Sequence, residues 1–279
     1  MRVSVVGSGG MLGHMVYYHL KMAGFDVTGY SKSSAPAVDH VIDPSQTKNI
    51  TGDVIVNCAG ILNAECDKNP ELALQTNAML PSRLMQNCDF LIHISTDCVF
   101  DGTENWKGVK STPNATSLYG RTKALGEIAD NTKAVTLRQS VIGPSLKPSG
   151  AGLLHWALSQ KGSTVPGFLT HDWNGVTTLE LAGLIVRILK ARLQGNKKIY
   201  GLYHYVTKEP IIKHDLLAEI KRVFELTWEI EPQRPDPVLR CLALDNRITP
   251  PPSISMQLEQ LKRWMLSKPH LYDHYRSAT

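Results

Sequence analysis

The stretch Val3-Ser4-Val5-Val6-Gly7-Ser8-Gly9-Gly10-Met11-Leu12-Gly13 decides the fold class. A short β-branched apolar run stops at closely spaced glycines, and residues 11–23 then have the composition of a helix. Glycine at positions 7, 10 and 13 lets the chain turn sharply, approach a pyrophosphate and pack helix against strand. The helix start adds free N–H groups and a partial positive charge that favour an anion. Glycines this dense suit any tight turn. Their place between a first strand and a first helix is what points to a dinucleotide.

Outward from this unit, strand-like runs at 3–6, 26–30, 40–42, 53–57, 90–95 and 135–139 alternate with helix-like segments, the longest at 11–23, 70–88 and 119–129. Such alternation implies an α/β fold, a Rossmann-type doubly wound parallel sheet covered by helices on both faces. The runs are solidly apolar, as strands buried on both faces are. After Gly143 the pattern loosens: 143–152 is rich in Pro, Gly and Ser, and 162–175 reads as loop. Helices are expected at 153–160, 179–192, 214–224 and 254–267, with a strand at 200–206. The expected organisation is a dinucleotide-binding domain over 1–143 and a smaller C-terminal α/β substrate domain over 144–279, with segments interleaved.

The 279 residues suffice for one large α/β domain or a core domain with a companion. Hydrophobic residues make up 42% and charged residues 20%, the balance of an ordinary globular enzyme. The net charge of +5 is spread along the chain without a basic run, so no nucleic-acid partner is expected. No apolar run is long enough to span a bilayer and no leader is recognisable, so no membrane association and a cytoplasmic location are expected. The five cysteines are odd in number and lack a CxxC pair, which favours reduced thiols over disulfides or zinc. His270 and His274 are two residues short of a metal site; with Tyr272 and Tyr275 they read as a solvated or partner-facing tail. His93 reads as a core residue, and Glu127 and Arg121 as surface or packing residues. Trp156, Trp173 and Trp228 suit a core, an interface or a sugar pocket.

At the end of the second strand an acidic residue usually holds the ribose 2′-hydroxyl of NAD. This chain has Gly29-Tyr30-Ser31-Lys32 there. Ser31 and Lys32 suit a 2′-phosphate, which favours NADPH, with NADH as the alternative; Lys32 also reads as a solvated loop lysine. Further on, a strand runs into Ser95-Thr96-Asp97, and Tyr119-Gly120-Arg121-Thr122-Lys123 follows on a helix. Residues i and i+4 share a helix face, so the Tyr119 hydroxyl and the Lys123 ammonium reach one site. A cation near a tyrosine lowers its pKa from about 10 and fits it for proton transfer to a ketone oxygen. Thr96 can orient the same carbonyl. Tyr17 and Lys21 have identical spacing on the first helix and read as structural, so the spacing alone is not specific.

Ile94-Ser95-Thr96-Asp97-Cys98-Val99-Phe100-Asp101-Gly102 together with Tyr119-Gly120-Arg121-Thr122-Lys123-Ala124-Leu125-Gly126-Glu127 closely resembles the dTDP-4-dehydrorhamnose reductase group of extended short-chain dehydrogenases. Asn57-Cys58-Ala59-Gly60, Pro70-Glu71-Leu72-Ala73, Asn77-Ala78 and Arg234-Pro235 are similar to it as well. The resemblance is strong over 1–140 and patchy beyond. It implies catalysis by Thr96, Tyr119 and Lys123, with Lys123 also holding the nicotinamide ribose. It implies a pyrophosphate turn of Gly7, Gly10, Met11, Leu12 and Gly13, an adenine neighbour at Asp43, and a cofactor cleft lined by Ala59 and Gly60. Asp97, Val99 and Arg234 match positions near the sugar nucleotide. The implied reaction is NADPH-dependent reduction at C4 of a 4-keto-6-deoxy nucleotide sugar in polysaccharide biosynthesis, and a homodimer is an assembly met among related reductases.

Three departures bear on substrate. Cys98 stands where the group has tyrosine, Arg138-Gln139-Ser140-Val141 lacks the group's tryptophan, and Gly175-Val176-Thr177-Thr178 replaces Gly-x-Pro-Thr. These admit UDP-linked N-acetylated 4-keto sugars. The alternatives are a nucleotide-sugar epimerase and a non-catalytic NADP-binding regulatory subunit, since a regulatory subunit of methionine adenosyltransferase resembles the same group. Dehydration is disfavoured, because Thr96-Asp97-Cys98 lacks the glutamate that dehydratases place after the aspartate.

Overall fold

The computed structural model describes residues 1–42, 46–160, 162 and 164–278. The chain begins β1 (Arg2–Val6), α1 (Gly13–Met22), β2 (Asp26–Ser31), β3 (His40–Val41) and β4 (Gly52–Asn57). It continues through α2 (Asn63–Lys68), α3 (Pro70–Ala73), a π-helical turn at Leu74–Met79, α4 (Leu80–Met85), β5 (Cys88–Ile94), α5 (Leu118–Leu125) and β6 (Ala134–Arg138). Then come β7 (Val141–Ile142), α6 (Leu153–Ser159), β8 (Thr164–Phe168), β9 (His171–Trp173), β10 (Val176–Thr177), α7 (Thr178–Leu193) and β11 (Gly201–His204). The last elements are β12 (Ile211–Ile212), α8 (Lys213–Phe224), β13 (Glu229–Gln233), β14 (Val238–Leu239), α9 (Ile254–Ser267) and α10 (Pro269–Tyr272).

Seven strands form one sheet in the order β11-β6-β5-β4-β1-β2-β3, and every pairing in it is parallel. Side chains alternate across it. Val3, Val5, Val54, Val56, Phe90 and Ile92 meet α1 and α7 on one face, through residues such as Met15, Leu20, Ile185 and Leu189. Val6, Ile55, Leu91 and Ala134 meet Leu80 and Leu84 of α4 on the other. The strand order reverses between β1 and β4. A doubly wound sheet opens its ligand crevice at such a point, outside the carboxyl ends of the strands. Gly7 and Ala59, which follow β1 and β4, therefore face each other there.

Several boundaries differ from the sequence expectation. The helix expected over 70–88 is three segments, and Cys88 already belongs to β5. The π turn between α3 and α4 buries Asn77, which local composition gives no reason to expect. The loop-rich 162–175 contains β8 and β9; pairing with β13, β12 and β14 supplies order that Pro166 and Gly167 discourage locally. β11, from the second half, is the outer strand of the main sheet beside β6. The C-terminal tail is only partly solvated: Leu271, Tyr272 and Tyr275 are buried in the main core, because their apolar side chains pack against it, while His270 is exposed.

Among the described residues no helix is long and apolar enough to cross a membrane, and no group of three or more His, Cys, Asp or Glu could hold a metal ion.

Candidate active site

Gly7 has φ +80°, in the region that favours glycine, and a Cβ there would lie 2.7 Å from the Ala59 nitrogen. A Cβ on Gly13 would lie 2.0 Å from the Gly7 carbonyl oxygen, so only glycine lets α1 start this close to the turn. The Gly10 N–H donates to the Gly7 carbonyl at 3.0 Å, and the His14 N–H to the Gly10 carbonyl at 3.1 Å. α1 has no capping side chain and no acidic residue in its first turn, which suits an incoming anion. Met11 is partly exposed and Leu12 buried. Ser31 Oγ would lie 3.2 Å from a Cβ on Gly9, which puts the end of β2 beside the turn. Lys32 is exposed next to it, and Lys147 Nζ, from the second half, donates to Ser33 Oγ at 3.3 Å. Gly60 is exposed after Ala59. Asp43 lies outside the described residues.

The carboxyl end of β5 carries the second group of residues. Thr96 is extended, accepts the Cys98 N–H at 3.2 Å, and donates its hydroxyl to Asp97 Oδ1 at 3.0 Å. Tyr119 sits in the first turn of α5, whose start is capped by Ser117 Oγ accepting the Gly120 N–H at 3.1 Å. Burial, with Cys98 and Asp97 near, pushes the Tyr119 pKa above the usual value against the opposing effect of the Thr96 hydroxyl, so the lowering expected from a nearby cation is not what this site shows. Lys123, one turn on, donates from Nζ to the Ile94 carbonyl at 2.6 Å. Burial lowers the Lys123 pKa to about 8, and the Glu127 carboxylate opposes that shift. Thr96 and Tyr119 thus lie close together at the end of β5, while the Lys123 ammonium, one turn along α5, is held by the Ile94 carbonyl of that strand. The Tyr17–Lys21 pair is elsewhere: Tyr17 donates to Asp39 Oδ1 at 3.0 Å, and Lys21 lies over its ring.

Packing aims α5 at this site. A Cβ on Gly120 would lie 2.1 Å from the Cys98 carbonyl oxygen, and one on Gly126 2.0 Å from the Asn77 carbonyl oxygen. Asn77 Oδ1 accepts the Ile61 N–H at 2.9 Å, and its Nδ2 donates to the Ile61 carbonyl at 3.0 Å and to Thr122 Oγ1 at 3.1 Å. One buried side chain therefore ties α5 to the connection after β4.

Beyond the lysine lies a buried ion pair. Arg138 donates to Glu127 from Nε at 2.9 Å and from Nη2 at 2.6 Å, and Ser95 Oγ donates to the same carboxylate at 2.6 Å. Arg138 Nη1 lies 3.2 Å from His204 Nε2, and His204 Nδ1 3.1 Å from the Ala243 carbonyl. His204 therefore carries its proton on Nδ1 and accepts from Arg138 at Nε2. Glu127 is this buried partner rather than a surface group. His93 is buried as expected, with Nδ1 3.2 Å from Asn57 Nδ2.

A cleft of about 110 Å³ opens beside Tyr119, lined by Asn63, Asp67, Cys98, Ser117 and Arg240. Arg240 donates to Cys98 Sγ at 3.6 Å and to the Asp101 carbonyl at 3.4 Å. Burial raises the Asp97 pKa while Arg240 opposes it, and Lys213 is held low by its own burial. Arg234 is exposed after β13, outside the residues lining this cleft. Val99 packs with Phe100, Val206 and Leu242. Trp173 donates to Ser140 Oγ and Trp228 to the Ala157 carbonyl, both buried. Asn63, Asp67 and Arg240 carried no signal in the sequence, since neither α2 nor the approach of β14 to the loop after β5 has a local signature.

Sheet order, glycine turn and the residues around Tyr119 define a Rossmann-like fold of the reductase and epimerase kind. Within that class the chain belongs to the family described as RmlD substrate binding domain, whose model matches residues 1–274. It is 28% identical over 246 residues to a probable low-salt glycan biosynthesis reductase of Haloferax volcanii, covering 80% of this chain and 80% of that protein. It is also 28% identical over 256 residues to methionine adenosyltransferase 2 subunit beta of Xenopus tropicalis, covering 85% and 76% respectively. The crystal structure of a dTDP-4-dehydrorhamnose reductase from Bacillus anthracis in complex with NADP superposes with a TM-score of 0.75 at 18% identity, covering 94% of this chain and 99% of that one.

Proposed function

We propose that this protein is an NADPH-dependent reductase of a 4-keto-6-deoxy nucleotide sugar, acting in the cytoplasm. The observation that carries the reading is Tyr119, beside Thr96 and one helical turn from buried Lys123, lining a cleft that Arg240 also lines. The reductase named among its relatives and the NADP-bound structural neighbour support it.

The glycine turn fits a dinucleotide, because only glycine at 7 and 13 packs the turn this tightly against Ala59 and the start of α1, which has no capping side chain. Gly7, Gly10, Met11, Leu12 and Gly13 hold the pyrophosphate. Ser31, Lys32 and Lys147 meet the 2′-phosphate, and Ala59, Gly60 and Lys123 the nicotinamide side. NADPH supplies hydride to the carbonyl carbon when bound. Tyr119 gives its proton to the carbonyl oxygen, and Thr96 turns its hydroxyl from Asp97 Oδ1 to donate to that oxygen when substrate binds. The Lys123 ammonium stabilises the tyrosinate that remains, and Glu127 keeps this lysine charged. Asp97 and Arg240 lie beside the sugar nucleotide. Residues 1–143 form the cofactor part and most of 144–279 the substrate part, with α7 and β11 returned to the sheet.

The test mixes the protein with NADPH and a dTDP-linked or UDP-linked 4-keto-6-deoxy sugar and follows NADPH absorbance, with Tyr119→Phe as control. Oxidation with one sugar, lost in the variant, is the expected result. Tight NADPH binding without oxidation by either sugar overturns the reductase reading. It favours instead a regulatory role of the kind the methionine adenosyltransferase relative's name describes.

A further inference from the structure

The C-terminal segment touches the cofactor turn through two tyrosine hydroxyls. His14, the second residue of α1, is fully buried, with Nδ1 2.9 Å from the Gly10 carbonyl and Nε2 2.8 Å from the Tyr272 hydroxyl. A carbonyl can only accept, so Nδ1 carries the proton and Nε2 accepts from Tyr272. A single relay thus runs from Tyr272 through the imidazole to Gly10, in the middle of the glycine turn. Three residues on, the Tyr275 hydroxyl accepts the Ser145 N–H at 2.9 Å and meets His155 Nδ1 at 2.6 Å. Ser145 Oγ in turn accepts the Lys147 N–H at 3.0 Å, and the Lys147 ammonium reaches Ser33 beyond the end of β2. The same connection passes over the turn at Gly152, where a Cβ would lie 3.1 Å from Met11 Sδ.

We infer that residues 269–275 are a positioning strap for the cofactor: Tyr272 holds the pyrophosphate turn through His14, and Tyr275 holds the connection that brings Lys147 to the 2′-phosphate end. The inference rests on the dinucleotide reading above and assigns the tail a role within it. Burial of the two rings explains why the tail docks, and phenylalanine would preserve that. The hydroxyls do something packing does not require, because each ends on a group that leads to the phosphate-binding surface. His14, Tyr272 and Tyr275 are positioning residues, one step removed from the ligand.

The experiment measures NADPH and NADH dissociation constants by fluorescence titration for wild type, Tyr272→Phe, Tyr275→Phe and the double variant, alongside melting of the ligand-free proteins. Losing one relayed hydrogen bond weakens binding about fivefold. Tyr272→Phe is expected to weaken both cofactors alike. Tyr275→Phe is expected to weaken NADPH more than NADH, because NADH has no 2′-phosphate for Lys147 to meet. A purely structural role would lower both affinities only in step with stability. A folded double variant that binds NADPH within twofold of wild type overturns the strap and leaves the reductase reading standing. If wild type binds neither cofactor, both readings fail.

Discussion

Replacing Glu127 with glutamine removes a negative charge from a place where the matching positive one stays behind. The Arg138 side chain is 2% exposed and spends two of its donors on that carboxylate, at 2.9 and 2.6 Å. A glutamine amide can accept from one of them but turns an N–H₂ toward the other or toward Ser95. Removing one partner of a buried ion pair costs about 3–5 kcal/mol, because the surviving charge stays desolvated. At about 2 °C per kcal/mol for a chain of this size, melting should fall by roughly 6–10 °C. Replacing both residues with methionine should recover most of the loss, because no charge is then stranded. Differential scanning calorimetry of Glu127→Gln and of the double methionine variant checks this. The change also reaches the chemistry. Lys123, at about 8, loses the group that holds its pKa up, so the alkaline limb of kcat/KM should move to lower pH. Melting of Glu127→Gln within about 1 °C of wild type would refute the reasoning about the pair.

Three further outcomes are expected. Gly13→Ala should abolish NADPH binding in a titration, since its Cβ would meet the Gly7 carbonyl oxygen at 2.0 Å and push the turn off the helix. Stability should decline as pH drops from 6.5 toward 4. His14 and His204 each have a folded pKa of about 4 against 6.5, so the unfolded chain binds their protons first. Urea denaturation at pH 5 and 7 should show a loss of about 2 kcal/mol per histidine, which His14→Gln reduces. Arg240→Met should raise KM for the nucleotide sugar about tenfold with a smaller change in kcat, because Arg240 lines the cleft but bonds Cys98 and the Asp101 carbonyl rather than Thr96 or Tyr119.

The strand runs, the glycine turn and the Tyr119–Lys123 spacing were all legible in the sequence, because each depends on periodicity or on residues within one turn of each other. Burial on both faces made the parallel strands uniformly apolar, and a positive φ at Gly7 excluded other residues there. Those local constraints place six strands of the main sheet and put Thr96 at the end of β5 with Tyr119 and Lys123 on α5. Tertiary structure decided what depends on distant segments meeting. Asn77 enters the site region only because a π turn rotates it inward, and β8 forms only because β13 lies beside it. Glu127 finds Arg138, Arg240 reaches Cys98, and Tyr272 reaches His14 across 258 residues of sequence. A side chain's partner, burial and charge state are properties of the packed whole, so residues that read as surface or tail became a buried ion pair and a strap.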